Sequence, residues 1–161
     1  MSGSNSFLSL GALLLLSLVS LRFNTAVLEN STIETENKVY LTAFSLANDL
    51  IEEIKRKAFD AATVDFPTTD PYDLTSPFSL GHAYNEIYPN FNDIDDYDRY
   101  ERTVSAPHAE KYSIRCSVFY VNEFNPDYKV MMQTFYKRVE VTVASPYMKK
   151  AIKLSFIFTL K

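Results

Sequence analysis

From Ser4 to Phe66 the chain contains no proline, and between Gly11 and Phe66 it contains no glycine. These are the two residues that most readily end or kink a helix. A stretch this long without them commits the first two fifths of the chain to one continuous helix, provided its side chains supply a helical pattern. Its start is strongly apolar. Phe7–Leu21 reads FLSLGALLLLSLVSL, fifteen residues with no charge, and FNTAVL extends it weakly beyond Arg22. Crossing a bilayer core takes roughly 20 apolar residues, with about 17 as the lower limit. Residues 5–21 reach that limit if Asn5 and Ser6 are counted and Arg22 lies at the interface. A cleavable signal peptide is the competing reading. No basic residue precedes the apolar run and no A-x-A site follows it, so a retained helix is expected, with the C-terminal part exported.

Beyond the apolar run the pattern stays helical. Ile33, Asn37, Tyr40, Phe44, Ala47, Ile51, Ile54 and Ala58 recur at spacings of three and four, and Val39, Ala43, Leu46 and Leu50 widen the stripe. Glu52–Arg56 and Glu53–Lys57 are expected i,i+4 pairs. The helix is predicted from about residue 5 to about residue 59, on the order of 80 Å. This divides the chain into an apolar anchor (1–28), an amphipathic continuation of the same helix (29–60) and a remainder (61–161).

That remainder reads as a small antiparallel β domain. Residues 61–111 carry five of the seven prolines and are expected to be irregular. Period-2 alternation follows in Tyr112–Val121, Val130–Ala144 and Ala151–Leu160, with NEFNPDYK and SPYMKK as connections. Lys137 interrupts the apolar phase of Phe135, Val139, Val141 and Val143. The fold class is α+β, the second half of the helix packing on a three-stranded meander.

Composition removes whole classes of function. Gly3, Gly11 and Gly81 are the only glycines, so no glycine-rich phosphate loop can be written. A single cysteine, Cys116, excludes an internal disulfide and a thiolate zinc cluster. The net charge of −4 argues against nucleic acid as a partner. The charge is polarised: residues 61–110 are net −8 and residues 111–161 net +6, complementary within one chain or between copies.

The layout resembles the type IV pilin-like family. The stretch YLTAFSLANDLIEEIKRKAFD (Tyr40–Asp60) resembles the end of the long helix in minor pilins and pseudopilins. NDIDDYDRY (Asn92–Tyr100), followed by YKRVEVTVASP (Tyr136–Pro146) and AIKLSFIF (Ala151–Phe158), resembles the minor pilins of the mannose-sensitive haemagglutinin pilus. The resemblance implies a subunit of an extracellular filament or secretion pseudopilus. Such a subunit is held in the inner membrane before assembly and then packs, as a homo-oligomer or with other pilin-like subunits, through its N-terminal helix. The assembly residues would be Phe7, Leu8, Leu10, Leu13, Leu14, Leu15, Leu16, Leu18, Val19 and Leu21. In that family a basic leader and a glycine cleavage site precede a Phe, and the fifth mature position is a Glu. Here Gly3 is followed by Ser4, cleavage there would put Leu8 at the fifth position, and the first acid is Glu29.

Asp93, Asp95, Asp96 and Asp98 are the candidate ligands for a hard cation such as calcium. The competing reading is a surface turn whose carboxylates cap backbone N–H groups. Cys116 on an apolar strand face reads as a buried small hydrophobe. His82 and His108 lie in loop contexts without a nearby nucleophile, and no cofactor or catalytic constellation is expected. Tyr72, Tyr84, Tyr88, Tyr97 and Tyr100 either support adhesion or cover a loop-rich edge. Two functions remain: a structural filament subunit, and a monomeric membrane-anchored, exported binding or adhesion module with calcium as its ligand.

Overall fold

The computed structural model describes residues 2–160, with side chains from Ser6 onward. Helix α1 spans Ser2–Ile54 without a break. Five strands follow: β1 (Glu101–Ala106), β2 (Ala109–Asn122), β3 (Asn125–Lys129), β4 (Tyr136–Ala144) and β5 (Ile152–Thr159). The architecture is α+β, a long N-terminal helix and a small antiparallel sheet on which its second half packs. The chain divides into two compact units, Met1–Lys38 and Val39–Lys161.

Within Val39–Lys161 the helix presents Val39, Ala43, Ala47, Leu50, Ile51 and Ile54, all buried, as one face. Their spacing follows the helical repeat. Ala43 and Ala47 carry no bulk beyond Cβ, so the backbone can approach its neighbours. The buried stripe is rotated from the expected one: Val39, Ala43 and Leu50 form its centre, whereas Phe44 is half exposed. The helix also ends earlier, at Ile54 rather than near residue 59. Lys55, Arg56 and Lys57 continue as a tight turn in which Arg56 N donates to Glu53 O and Lys57 N to Ile54 O. The expected Glu52–Arg56 and Glu53–Lys57 pairs therefore do not form. Glu52 pairs with Lys55 at 2.7 Å, and the Lys57 Nζ donates to the Phe91 carbonyl at 2.5 Å.

The main sheet runs β1-β2-β4-β5, with β3 paired to the far end of β2. The register places inward side chains in rows. Ile114 faces Val143, Cys116 faces Val141, Val118 faces Val139 and Tyr120 faces Lys137. On β5, Ile152, Leu154, Phe156 and Phe158 continue the same four rows. The β2 and β4 members are buried, and the β5 members are only partly covered, as an edge strand requires.

β1 and β3 were outside the expected three strands. β1 alternates between exposed and half-buried positions, with Arg102, Val104 and Ala106 inward, so its apolar period is faint in sequence. β3 contains Pro126 and pairs with β2 at only Val121–Lys129 and Asn122–Asn125, a short edge ladder that tolerates proline. β4 begins at Tyr136 rather than Val130, since residues 130–135 form an irregular approach to it.

The two ends of the irregular segment after the helix are joined by a parallel bridge, Ala58 to Asp93. Ala58 N donates to Asn92 O at 3.1 Å, and Ile94 N donates to Ala58 O at 2.9 Å. This bridge brings Asp60, two residues past Ala58, beside the acidic turn at 93–98.

Candidate functional site

Within the unit Met1–Lys38 the side chains described, from Ser6 onward, form a helical surface. Phe7, Leu8, Leu10, Leu13, Leu14, Leu15, Leu16, Leu18, Val19 and Leu21 are each 57–77 % exposed. Four consecutive leucines, 13–16, step about 100° each around the axis and cover every side of the helix. The polar interruptions are neutralised locally. Ser17 Oγ donates to Leu13 O at 2.8 Å, Thr25 Oγ1 to Leu21 O at 3.0 Å and Thr32 Oγ1 to Leu28 O at 2.9 Å. A hydroxyl returned to its own helix in this way needs no water. By length and composition α1 is able to cross a membrane. Burying each exposed leucine is worth about 2 kcal/mol, so this surface calls for lipid or for other apolar helices.

The unit Val39–Lys161 contains a second assembly of functional groups, a buried charge cluster. Lys137 occupies the inward row between Tyr120 and Phe158. Its Nζ uses all three hydrogens: on the Phe59 carbonyl at 2.9 Å, on Asp60 Oδ2 at 2.6 Å and on Asp95 Oδ1 at 2.5 Å. The ammonium also lies 4.6 Å from the Phe59 ring centre and 5.0 Å from that of Tyr120. Asp60 is fully enclosed and accepts from Ala62 N, Thr75 N, Thr75 Oγ1 and Tyr120 Oη as well. Burial pushes the Asp60 carboxyl up, but the Lys137 charge and these hydrogen bonds outweigh it and hold it at about 2. Asp95 has Lys137 as its one side-chain partner. Burial dominates there and pushes its carboxyl up to about 7.

The four aspartates singled out in the sequence do not meet at one point. Asp93 Oδ1 accepts from Asp95 N at 2.7 Å and from Asp96 N at 3.4 Å. Asp96 Oδ2 accepts from Asn92 N at 2.9 Å. Asp98 turns to the sheet, taking Val118 N at 3.0 Å and Arg99 Nε at 3.0 Å. Among the described residues no group of three or more His, Cys, Asp or Glu side chains is placed to hold a metal ion. Asp93 and Asp96 cap backbone N–H groups as in the competing reading, but the turn is buried rather than at the surface, with Asp93, Asp95 and Asp96 enclosed, and the described residues supply no preformed calcium cage. Burial, and then the Asp96 charge, raise the Asp93 carboxyl to about 6; burial also raises Asp96.

The titrations give the stability of this unit a definite pH profile. Asp93, Asp95 and Asp96 have folded-state values above the ordinary aspartate value. The folded chain therefore holds protons that the unfolded chain releases, and stability from these groups rises as pH falls from about 7 to about 4. Asp60 is depressed, so its contribution is present above about pH 4 and is lost between about pH 4 and 2. The urea midpoint is expected to peak around pH 4–5 and to decline on both sides. A midpoint that climbs steadily to neutral pH would contradict this assignment.

The remaining candidates are structural. Cys116 is free and buried, and burial, with the nearby Asp98 charge, pushes its thiol well above the ordinary range. His82 stacks on Phe91 with centroids 5.6 Å apart. His108 takes a positive φ of 72° in the two-residue turn between β1 and β2. Tyr88, Tyr97 and Tyr100 pack with Phe91 at centroid distances of 5.0–5.9 Å, and Tyr97 and Tyr88 donate to the two oxygens of Glu53. Tyr72 and Tyr84 remain exposed.

Lys137, Asp60, Tyr120 and Thr75 were not among the sequence candidates. The one signal for them was Lys137 itself, a lysine falling in phase with buried valines. Comparison with protein-family models, with curated proteins and with solved structures gives no match, so the pilin-like resemblance stands on the sequence features alone.

Proposed function

We propose that this chain is a structural subunit of an extracellular type IV pilus-like filament or secretion pseudopilus, assembling through the apolar part of α1. The observation that carries this reading is the leucine-rich surface of residues 7–21, which is exposed on every side of the helix. A helix that only anchors a head in lipid has the same composition, so the resemblance of Tyr40–Asp60, Asn92–Tyr100 and Tyr136–Pro146 to minor pilins is what favours a filament. In this reading the chain is held in the membrane by α1 before assembly. It then exchanges lipid for neighbouring helices, and packing rather than a buried acid holds the core. The acidic 61–110 and basic 111–161 segments add complementary contacts between subunits.

Electron microscopy of material sheared from cells and of detergent-purified protein tests this. Filaments containing the chain are expected in the sheared fraction. Their absence, with a monodisperse monomer in detergent, would favour the second reading, a monomeric membrane-anchored exported binding module.

A further inference from the structure

The assembly reading makes no use of an acidic concave region of the unit Val39–Lys161. A cleft of about 440 Å³ is lined by Asp65, His82, Glu86, Asp93, Asp95 and Asp96, together with small and neutral polar residues. Among the described residues no lysine or arginine lines it. Asp65 at its rim is exposed and Glu86 half-buried, whereas Asp93, Asp95 and Asp96 are each 2 % exposed.

Crowded acids alone do not define a site, since many such clusters are capped turns. Here a second observation bears on the matter. Asp95 is buried, one of its oxygens is tied to Lys137, and Oδ2 has no hydrogen-bond partner among the described residues. A buried polar atom without a partner is costly, and this one belongs to a residue that lines the cleft. In addition, burial and, to a smaller extent, the nearby Glu86 charge raise the Asp96 carboxyl, so like charges crowd this end of the cleft.

The form of the cleft selects among cations. A bare metal ion requires several oxygens converging within about 2.6 Å of one point, and no such trio exists among the described residues. The carboxyls are instead spread along the cavity from rim to floor. That spacing suits a donor with several N–H bonds on an apolar stem, which enters past Glu86 and Asp65 beside the stacked His82–Phe91 pair. We propose that this cleft binds an ammonium or guanidinium group, either at the tip of a basic side chain of a second copy of the chain or on a small free diamine.

The test uses the full-length chain in non-ionic detergent micelles. Millimolar putrescine is expected to raise Tm by about 3 °C or more over sodium chloride of equal ionic strength. Glu86→Gln and Asp65→Asn, both near the rim, should fold with near-normal circular dichroism and show a reduced response. No rise with putrescine, an undiminished rise in both variants, or an equal rise with calcium chloride would each overturn the proposal. Zero-length carbodiimide cross-linking separates the two sources. A cross-link from Asp65 or Glu86 to a lysine of a second copy, competed away by putrescine, assigns the cleft to a neighbouring subunit. A putrescine response without that cross-link assigns it to the free amine.

Discussion

Replacing Lys137 with methionine is expected to destabilise the unit Val39–Lys161 by about 3–5 kcal/mol at neutral pH. The methylene stem is preserved, so the packing of the row Tyr120–Lys137–Phe158 changes little. What is lost is the one cation that faces both Asp60 and Asp95 at 2.5–2.6 Å. Asp60 keeps its neutral donors, but its charge then sits in the interior uncompensated. The measurement is the urea midpoint at constant m-value. The loss should shrink at about pH 5, where Asp95 is more readily protonated. The triple variant Lys137→Met, Asp60→Asn, Asp95→Asn should recover much of it, because replacing a whole buried ion cluster by neutral groups is far less costly than removing one member. A loss below about 1 kcal/mol for the single variant would show that the cluster contributes little to the fold.

Leu14→Asp and Leu18→Asp are expected to abolish filaments while leaving the sheet unit intact. An aspartate at the centre of an apolar helix costs about 2.5–3.5 kcal/mol in lipid. At position 14 no cation lies within two turns, whereas at position 18 Arg22 is one turn away and offsets part of that cost, so Leu14→Asp is the more severe variant. Leu14 and Leu18 are 66 % and 57 % exposed and make no part of the Val39–Lys161 core. The comparison is filament yield beside wild type, with the urea midpoint as a control on folding. Normal filaments from both variants would mean that these helices are not the core, and the filament reading would lose its physical support.

How far the sequence reveals this molecule depends on the range of the interactions involved. α1 was legible because its pattern is local: apolar periodicity, no proline and no glycine after Gly11. β2, β4 and β5 were legible because inward residues alternate with outward ones over eight or more positions. β1 and β3 were not, since an edge strand with half-buried or polar positions carries little period. The end of α1 was misplaced by about five residues because basic residues at 55–57 suit a helix C-terminus equally well as the last turn or as the turn just after it. The site divides in the same way. The apolar surface of residues 7–21 is a property of composition. The Lys137 cluster joins residues 59, 60, 95, 120 and 137, and only the bridge between Ala58 and Asp93 together with the β2–β4 register brings them into contact. The aspartates at 93–98 looked alike in sequence, and their different roles follow from which one points to the lysine, which caps the turn and which reaches the sheet.

The bridge and the buried lysine also bear on the order in which the chain organises itself. The segment between Ala58 and Asp93 closes a loop of more than thirty residues, tied by one short parallel bridge at its ends, by Lys57 to the Phe91 carbonyl and by Thr75 to Asp60, and such a closure carries a substantial entropic cost. Asp60 and Asp95 flank that contact, and the cation that draws them together is delivered by a strand some forty residues further on. The loop therefore has little reason to settle until β4 has been made and has docked against β2. Formation of the last strands and ordering of the proline-rich segment become one cooperative event. Limited proteolysis within residues 61–92 then becomes a readout of whether the C-terminal strands are in place, a coupling between distant parts of the chain carried by the inward-facing Lys137 ammonium and by the Tyr120 hydroxyl, which reaches Asp60 and the Thr75 carbonyl.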